Sequence, residues 1–124
     1  MVKRDVTVAM TTNKESTRYY SDRQEKSVCR VANARQQSNS GAGKFRKGDV
    51  VNSTASLLIE CKTVVQDKES FSIKKEWIKK NKEEAFTQRL SNQCIAFSFG
   101  PDQENYFVIN ERLMRFLVEK LEEE

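Results

Sequence analysis

Ala55-Ser56-Leu57-Leu58-Ile59-Glu60-Cys61-Lys62-Thr63-Val64-Val65 is the most strand-like stretch of this 124-residue chain. Glu60 and Lys62 interrupt an otherwise β-branched and apolar run, the pattern of a strand buried on both faces at the centre of a sheet. Side chains alternate along a strand, so Glu60 and Lys62 project to one face and Cys61 to the other. An uncompensated ion in a core costs several kcal/mol, and a carboxylate and an ammonium in such a run therefore demand partners.

Upstream, Asp49-Val50-Val51 begins a strand, and Asp49 can supply a second carboxylate across a hairpin. Further upstream, Ser21 is a good N-cap, Asp22 and Glu25 suit the positive end of the helix dipole, and Val28, Cys29, Val31 and Ala32 supply an apolar stripe. That predicts a helix from Ser21 to near Asn33. Residues 1–20 read as a flexible basic N-terminal arm, and residues 21–124 as a single domain. Between helix and strand, Gln36-Gln37-Ser38-Asn39-Ser40-Gly41-Ala42-Gly43 is a polar loop, followed by the basic Lys44-Phe45-Arg46-Lys47.

Downstream, Ser72 is placed to cap a helix from Ile73 to about Thr87, with Ile73, Trp77, Ile78, Ala85 and Phe86 as its apolar stripe. Cys94 to Phe99 reads as a second buried strand, closed by Gly100-Pro101, and Tyr106 to Ile109 as a third. Glu111 to Lys120 is a terminal amphipathic helix, and the Glu122-Glu123-Glu124 that follows opposes its dipole and should fray. The order helix, strand, strand, helix, strand, strand, helix predicts an α/β fold with a central mixed β-sheet flanked by α-helices.

A chain of this length buries one core and no accessory domain. It contains no His, which removes Ser-His-Asp and Cys-His nucleophiles, His-ligated zinc and imidazole acid–base chemistry. Catalysis must then use carboxylates, Lys or a metal held by oxygen. No run approaches the length of a membrane span, the N-terminus is a poor signal peptide, and a cytoplasmic location is expected. Cys29, Cys61 and Cys94 are odd in number, widely spaced and set among apolar residues, so they read as buried reduced thiols. The net charge of +4 is uneven: residues 1–48 carry 11 Lys and Arg against 4 Asp and Glu, while residues 49–124 carry 11 against 14. A polyanion such as nucleic acid is a natural partner for such a basic excess, and ordinary solvated charges are the alternative.

Two carboxylates converging on a sheet end form a hard-oxygen site suited to Mg²⁺ or equally Mn²⁺, to which the Cys61 backbone carbonyl can add a third protein ligand. Lys62 beside them would orient an attacking water or offset charge on a phosphate. The alternative is an internal Glu60–Lys62 ion pair with Asp49 as a turn residue after Gly48. Lys44, Arg46 and Lys47, and on the second helix Lys74 and Lys75, are candidates for DNA-backbone contacts or for solvated charge. Trp77 fits core packing better than base stacking. Tyr19 and Tyr20 can stack on bases or staple the helix start.

Gly48-Asp49-Val50 followed by Leu58-Ile59-Glu60-Cys61-Lys62 resembles the PD-(D/E)XK nuclease motif, with Gly48 where the motif name carries Pro. In order and spacing the chain is similar to archaeal-type Holliday-junction resolvases and small phage-type endonucleases over about residues 21–110. The resemblance implies a three-layer restriction-endonuclease-like fold. It also implies a helix acid, best matched by Glu25, and a Ser/Gly loop in which Ser38 and Ser40 contact the scissile phosphate. The expected protein is a metal-dependent DNA endonuclease acting on branched DNA, with Asp49, Glu60, Lys62 and Glu25 at its site. Symmetric cutting of a junction implies a homodimer, with the C-terminal helix or strand Tyr106–Ile109 as interface. The rivals are a nuclease of the same fold acting on other DNA forms, in nicking or phage genome processing, a non-cleaving nucleic-acid-binding module, and a structural or inhibitory phage protein whose acids form an ion-pair network.

Overall fold

A computed structural model of the chain describes residues 13–37 and 48–123, with side chains described from Thr17. Helix α1 (Asn13–Ala32) leads into strands β1 (Arg35–Gln36), β2 (Asp49–Asn52) and β3 (Leu57–Cys61). Helix α2 (Lys75–Thr87), strands β4 (Asn92–Phe97) and β5 (Tyr106–Val108), and helix α3 (Glu111–Glu122) follow. The five strands form one mixed sheet in chain order, with β3 at its centre as its apolar run implies. Neighbouring strands run antiparallel except β3 and β4, which are parallel. A parallel pair needs a crossover, and α2 provides it.

Strand alternation distributes the core over two faces. On one, Val50, Ile59, Cys61, Cys94 and Ala96 pack on Val28 of α1. On the other, Val51 and Leu58 pack on Ala85 of α2. The class is α/β, with one helix on each side of a mixed sheet.

Several boundaries differ from the sequence-based expectation. α1 begins at Asn13, so part of the segment read as an arm is helical and Ser21 is an interior residue. Its hydroxyl donates to the Arg18 carbonyl at 3.0 Å instead of capping, and Lys14, Glu15 and Arg18 are residues a helix tolerates well. The buried stripe of α1 runs through Glu25 and Val28 with Ala32 half-buried, and Val31 lies off it at 66% exposure. The strand expected from Ala55 begins at Leu57 because 53–56 form a turn, in which Asn52 Oδ1 accepts from Ala55 N at 2.9 Å and Ser56 adopts φ +54°.

Ser72 does not cap α2: Lys74 is the extended N-cap residue, without a side-chain cap. The inward face of α2 runs through half-buried Trp77 and buried Asn81 and Ala85, at i, i+4 and i+8. Ile78 and Phe86 share a different face and are exposed. α3 begins where expected, with Asn110 Oδ1 accepting from Leu113 N at 2.9 Å, but it continues through Glu122. None of its residues is buried, and Met114, Phe116, Leu117, Val118 and Leu121 are all exposed.

Candidate functional site

The antiparallel register of β2 and β3 sets Asp49 directly opposite Glu60. Residues directly opposite in such a pair project to the same face, so the two carboxylates lie on the side of the sheet covered by α2. Both are buried, Asp49 at 1% exposure and Glu60 at 6%. Two residues on, the Lys62 ammonium lies 2.9 Å from Glu60 Oε2. The same ammonium sits 4.1 Å from the centre of the Trp77 ring. A cation over an indole face is attracted by the ring quadrupole, so α2 holds this lysine from one side while Glu60 holds it from the other. Trp77 also packs on Phe71, which stacks on Phe97 of β4, so the ring belongs to an aromatic wall.

Glu25 approaches from α1. It is buried at 8% exposure rather than solvent-facing. Gln36 of β1 donates from Nε2 to Glu25 Oε1 and to Asp22 Oδ1, each at 3.0 Å. A Cβ placed on Gly48 would lie 3.3 Å from the Cys61 carbonyl oxygen and 4.0 Å from Glu25 Oε2. Glu25 and the Cys61 carbonyl therefore both face the glycine that precedes Asp49. Gly48 has φ +100°, and its carbonyl accepts from Cys61 N at 2.9 Å.

Among the described residues, no three His, Cys, Asp or Glu side chains form a metal-binding group. Glu25 is accordingly a neighbour of the carboxylate pair and not a third member of one cluster. The donors expected from the sequence, the Asp49 and Glu60 carboxylates and the Cys61 carbonyl, are all oxygen. Mg²⁺ is bound in that way, through one or two carboxylates with the rest of its shell left to water and phosphate.

Gln24 ties the end of this strand to α1. Its Nε2 donates to the Lys62 carbonyl at 3.0 Å, and its Oε1 accepts from the Thr63 hydroxyl at 2.8 Å. Sequence reading did not single out Gln24 or Gln36 and placed Trp77 only in the core. A glutamine carries no local signal of partners 38 and 11 residues away. Lys74 and Lys75 are exposed at the start of α2, the former with its ammonium 5.7 Å from the Trp77 ring centre. Ser38, Ser40, Lys44, Arg46 and Lys47 lie outside the described residues.

No protein-family model, curated protein or solved structure matches the chain. The functional reading therefore rests on the arrangement of its residues.

The three thiols are free, with Cys61 and Cys94 buried and Cys29 half-buried. Burial, and after it the Glu25 and Asp49 carboxylates, pushes the Cys61 thiol well above its ordinary value. Burial alone pushes Cys94 up to about 12. Neither is a thiolate at neutral pH, so neither is a nucleophile there. Below about pH 9, the ordinary thiol value, folded and unfolded chains both keep these protons, and the stability tied to them is fully present. Between about 9 and 12 only the unfolded chain ionises, and stability falls as pH rises. The melting temperature should therefore decline above about pH 9, and decline less steeply in Cys94→Ala. Equal slopes for the two proteins would contradict this assignment.

Proposed function

We propose that this protein is a metal-dependent DNA endonuclease with a restriction-endonuclease-like fold. The observation that carries the reading is the register that sets buried Asp49 against buried Glu60, with the Lys62 ammonium 2.9 Å from Glu60. A core that only needed packing has no use for two opposed carboxylates, since like charges directly across a strand pair are destabilising. The fold assignment is supported by helix α1, antiparallel β1 to β3 and a crossover through α2 to parallel β4, with the acid pair on β2 and β3 and Lys62 immediately after β3.

Asp49, Glu60 and the Cys61 carbonyl would hold Mg²⁺ or Mn²⁺, which when bound supplies Lewis acidity towards the phosphate. Lys62 has three N–H donors and uses one on Glu60, leaving others to orient the attacking water or to bind a phosphate oxygen. Water adds to phosphorus and gives up a proton to solvent, the bond from phosphorus to the leaving sugar oxygen breaks with its electron pair on that oxygen, which takes a proton from solvent, and charge accumulating on the non-bridging oxygens is offset by the ammonium. Glu25, held by Gln36, acts as an auxiliary acid beside Gly48. Lys74 and Lys75 are exposed where they can meet the DNA backbone, and Ser38, Ser40, Lys44, Arg46 and Lys47 complete the proposed DNA contacts. Branched DNA is the proposed substrate. Paired cuts across a branch need two sites, hence a homodimer, for which the exposed apolar side of α3 offers a surface.

The test is incubation of the purified protein with labelled four-way junction, linear duplex and single-stranded DNA, in Mg²⁺ or in chelator. Paired symmetric cuts at the junction, lost in chelator, are expected. Cutting of every substrate would keep the chemistry and remove the preference for branches. Metal-independent binding without cutting would replace the enzyme with a binding module, and the absence of any DNA affinity would leave an ion-pair network in a structural protein.

A further inference from the structure

On the face of the sheet opposite the carboxylate pair, a cleft of about 660 Å³ lies between α1 and the loops that follow β3 and β4. That volume is in the range of clefts that take organic ligands. α1 forms one wall, along which Tyr19, Arg23, Lys26 and Arg30 recur at i, i+4, i+7 and i+11, with the acids Asp22 and, from the loop after β4, Asp102 also lining the cleft. Thr63, the residue immediately after Lys62, lines it too. The cleft thus borders the segment that leaves the Glu60 strand through Lys62, and Gln24 bridges wall and segment through the Lys62 carbonyl and the Thr63 hydroxyl.

We infer that this cleft is the channel for an unpaired strand of nucleic acid, holding its phosphates along Arg23, Lys26 and Arg30 and stacking a base on Tyr19. The inference rests on the proposed nuclease reading and specifies the substrate of that site: the single-stranded segment exposed where a duplex branches.

Charge and shape support a single strand over a duplex. Lys26 and Arg23 are paired with Asp22 at 3.1 Å and Asp102 at 2.6 Å, but all four side chains are about half exposed. Pairs that open to water are weak and leave donors for phosphate, and a guanidinium has five N–H groups to share. Arg30 makes no ion pair among the described residues. Tyr19 is 56% exposed, and Arg23 lies 5.4 Å from its ring centre and donates to its hydroxyl at 3.2 Å. A ring held in this way can present a face to a base, whereas the bases of a duplex already cover each other. The acidic wall residues also penalise the dense charge of a duplex more than that of one strand.

Fluorescence anisotropy of labelled oligothymidylate and of a blunt duplex of equal length, both in chelator, tests the channel with the full chain. The single strand should bind more tightly. Lys26→Ala with Arg30→Ala should weaken it about tenfold or more and lower the salt slope by about 1.4, from about 0.7 per phosphate contact on a single strand. Tyr19→Ala should weaken it roughly tenfold, while Tyr19→Phe keeps the affinity. Arg30→Gln repeats the charge test with a side chain of similar length. Unchanged affinity in these variants, or a wild type that prefers duplex, overturns the channel. Cleavage of the same oligonucleotide in Mg²⁺ is read separately. Binding that responds to the variants without any cutting keeps the channel and removes the nuclease, whereas cutting indifferent to them keeps the nuclease and removes the channel.

Discussion

Asp49→Asn is expected to abolish metal-dependent cleavage while leaving the protein at least as stable as the parent. Asn has nearly the shape of Asp but no charge, and Asp49 faces Glu60 across the β2–β3 pair with both side chains buried. Removing one of two like charges relieves repulsion, a gain of roughly 1 kcal/mol or about 4 °C in melting temperature. Activity should fall by at least about a hundredfold, as when one group that stabilises transition-state charge is lost. Lys62→Ala should be as inactive but less stable, because it leaves buried Glu60 without the ammonium 2.9 Å away. Breaking a fully buried pair costs about 3–5 kcal/mol. The Lys62 side chain is 25% exposed, so solvent screening reduces the loss to roughly 1–3 kcal/mol. Thermal melts beside a cleavage assay separate these effects. An Asp49→Asn protein that melts far below the parent would make Asp49 a structural residue and return the acid pair to the ion-pair reading.

The largest loss of stability should come from Gly48→Pro. Gly48 sits at φ +100°, and a proline ring holds φ near −65°, so the chain cannot enter β2 along the same path. The Gly48 carbonyl accepts from Cys61 N at 2.9 Å, so a displaced backbone at this point also loses a tie to the central strand. A cost of about 3 kcal/mol or more is expected. Gly48→Ala should cost roughly 1–3 kcal/mol, since its Cβ would meet the Cys61 carbonyl at 3.3 Å in a left-handed conformation. Denaturant unfolding of the two variants measures this, and an Ala variant as stable as the parent would remove the strain. In this chain the strand is entered through a conformation closed to proline.

The central strand was legible because burial on both faces leaves a continuous apolar run, and β3 does lie in the middle of the sheet. Glu60 and Lys62 stood out against that run for the same reason. Their pairing with Asp49 depended on register, which the short hairpin and the alternation of Val50, Val51, Leu58 and Ile59 between faces determine. The inward face of α2 was misread at Ile78 and Phe86. Apolar residues at those positions suggested a stripe, yet the helix turns buried Asn81 to the core and leaves Phe86 83% exposed. Tertiary packing there overrides a pattern of hydrophobicity. Glu25 was equally hard to place, since a carboxylate early in a predicted helix looks solvated until Gln36, brought alongside by β1, is seen to hold it.

α3 has further meaning for how the molecule can change. Arg112 donates to the Ser91 carbonyl at 2.7 Å and to Asn92 Oδ1 at 2.8 Å, but no residue of the helix enters either core. Its melting is therefore only loosely coupled to that of the sheet, and its sequence can drift without disturbing the register that holds Asp49 against Glu60. In evolutionary terms α3 is the element on which a new partner can be acquired at little thermodynamic cost to the sheet.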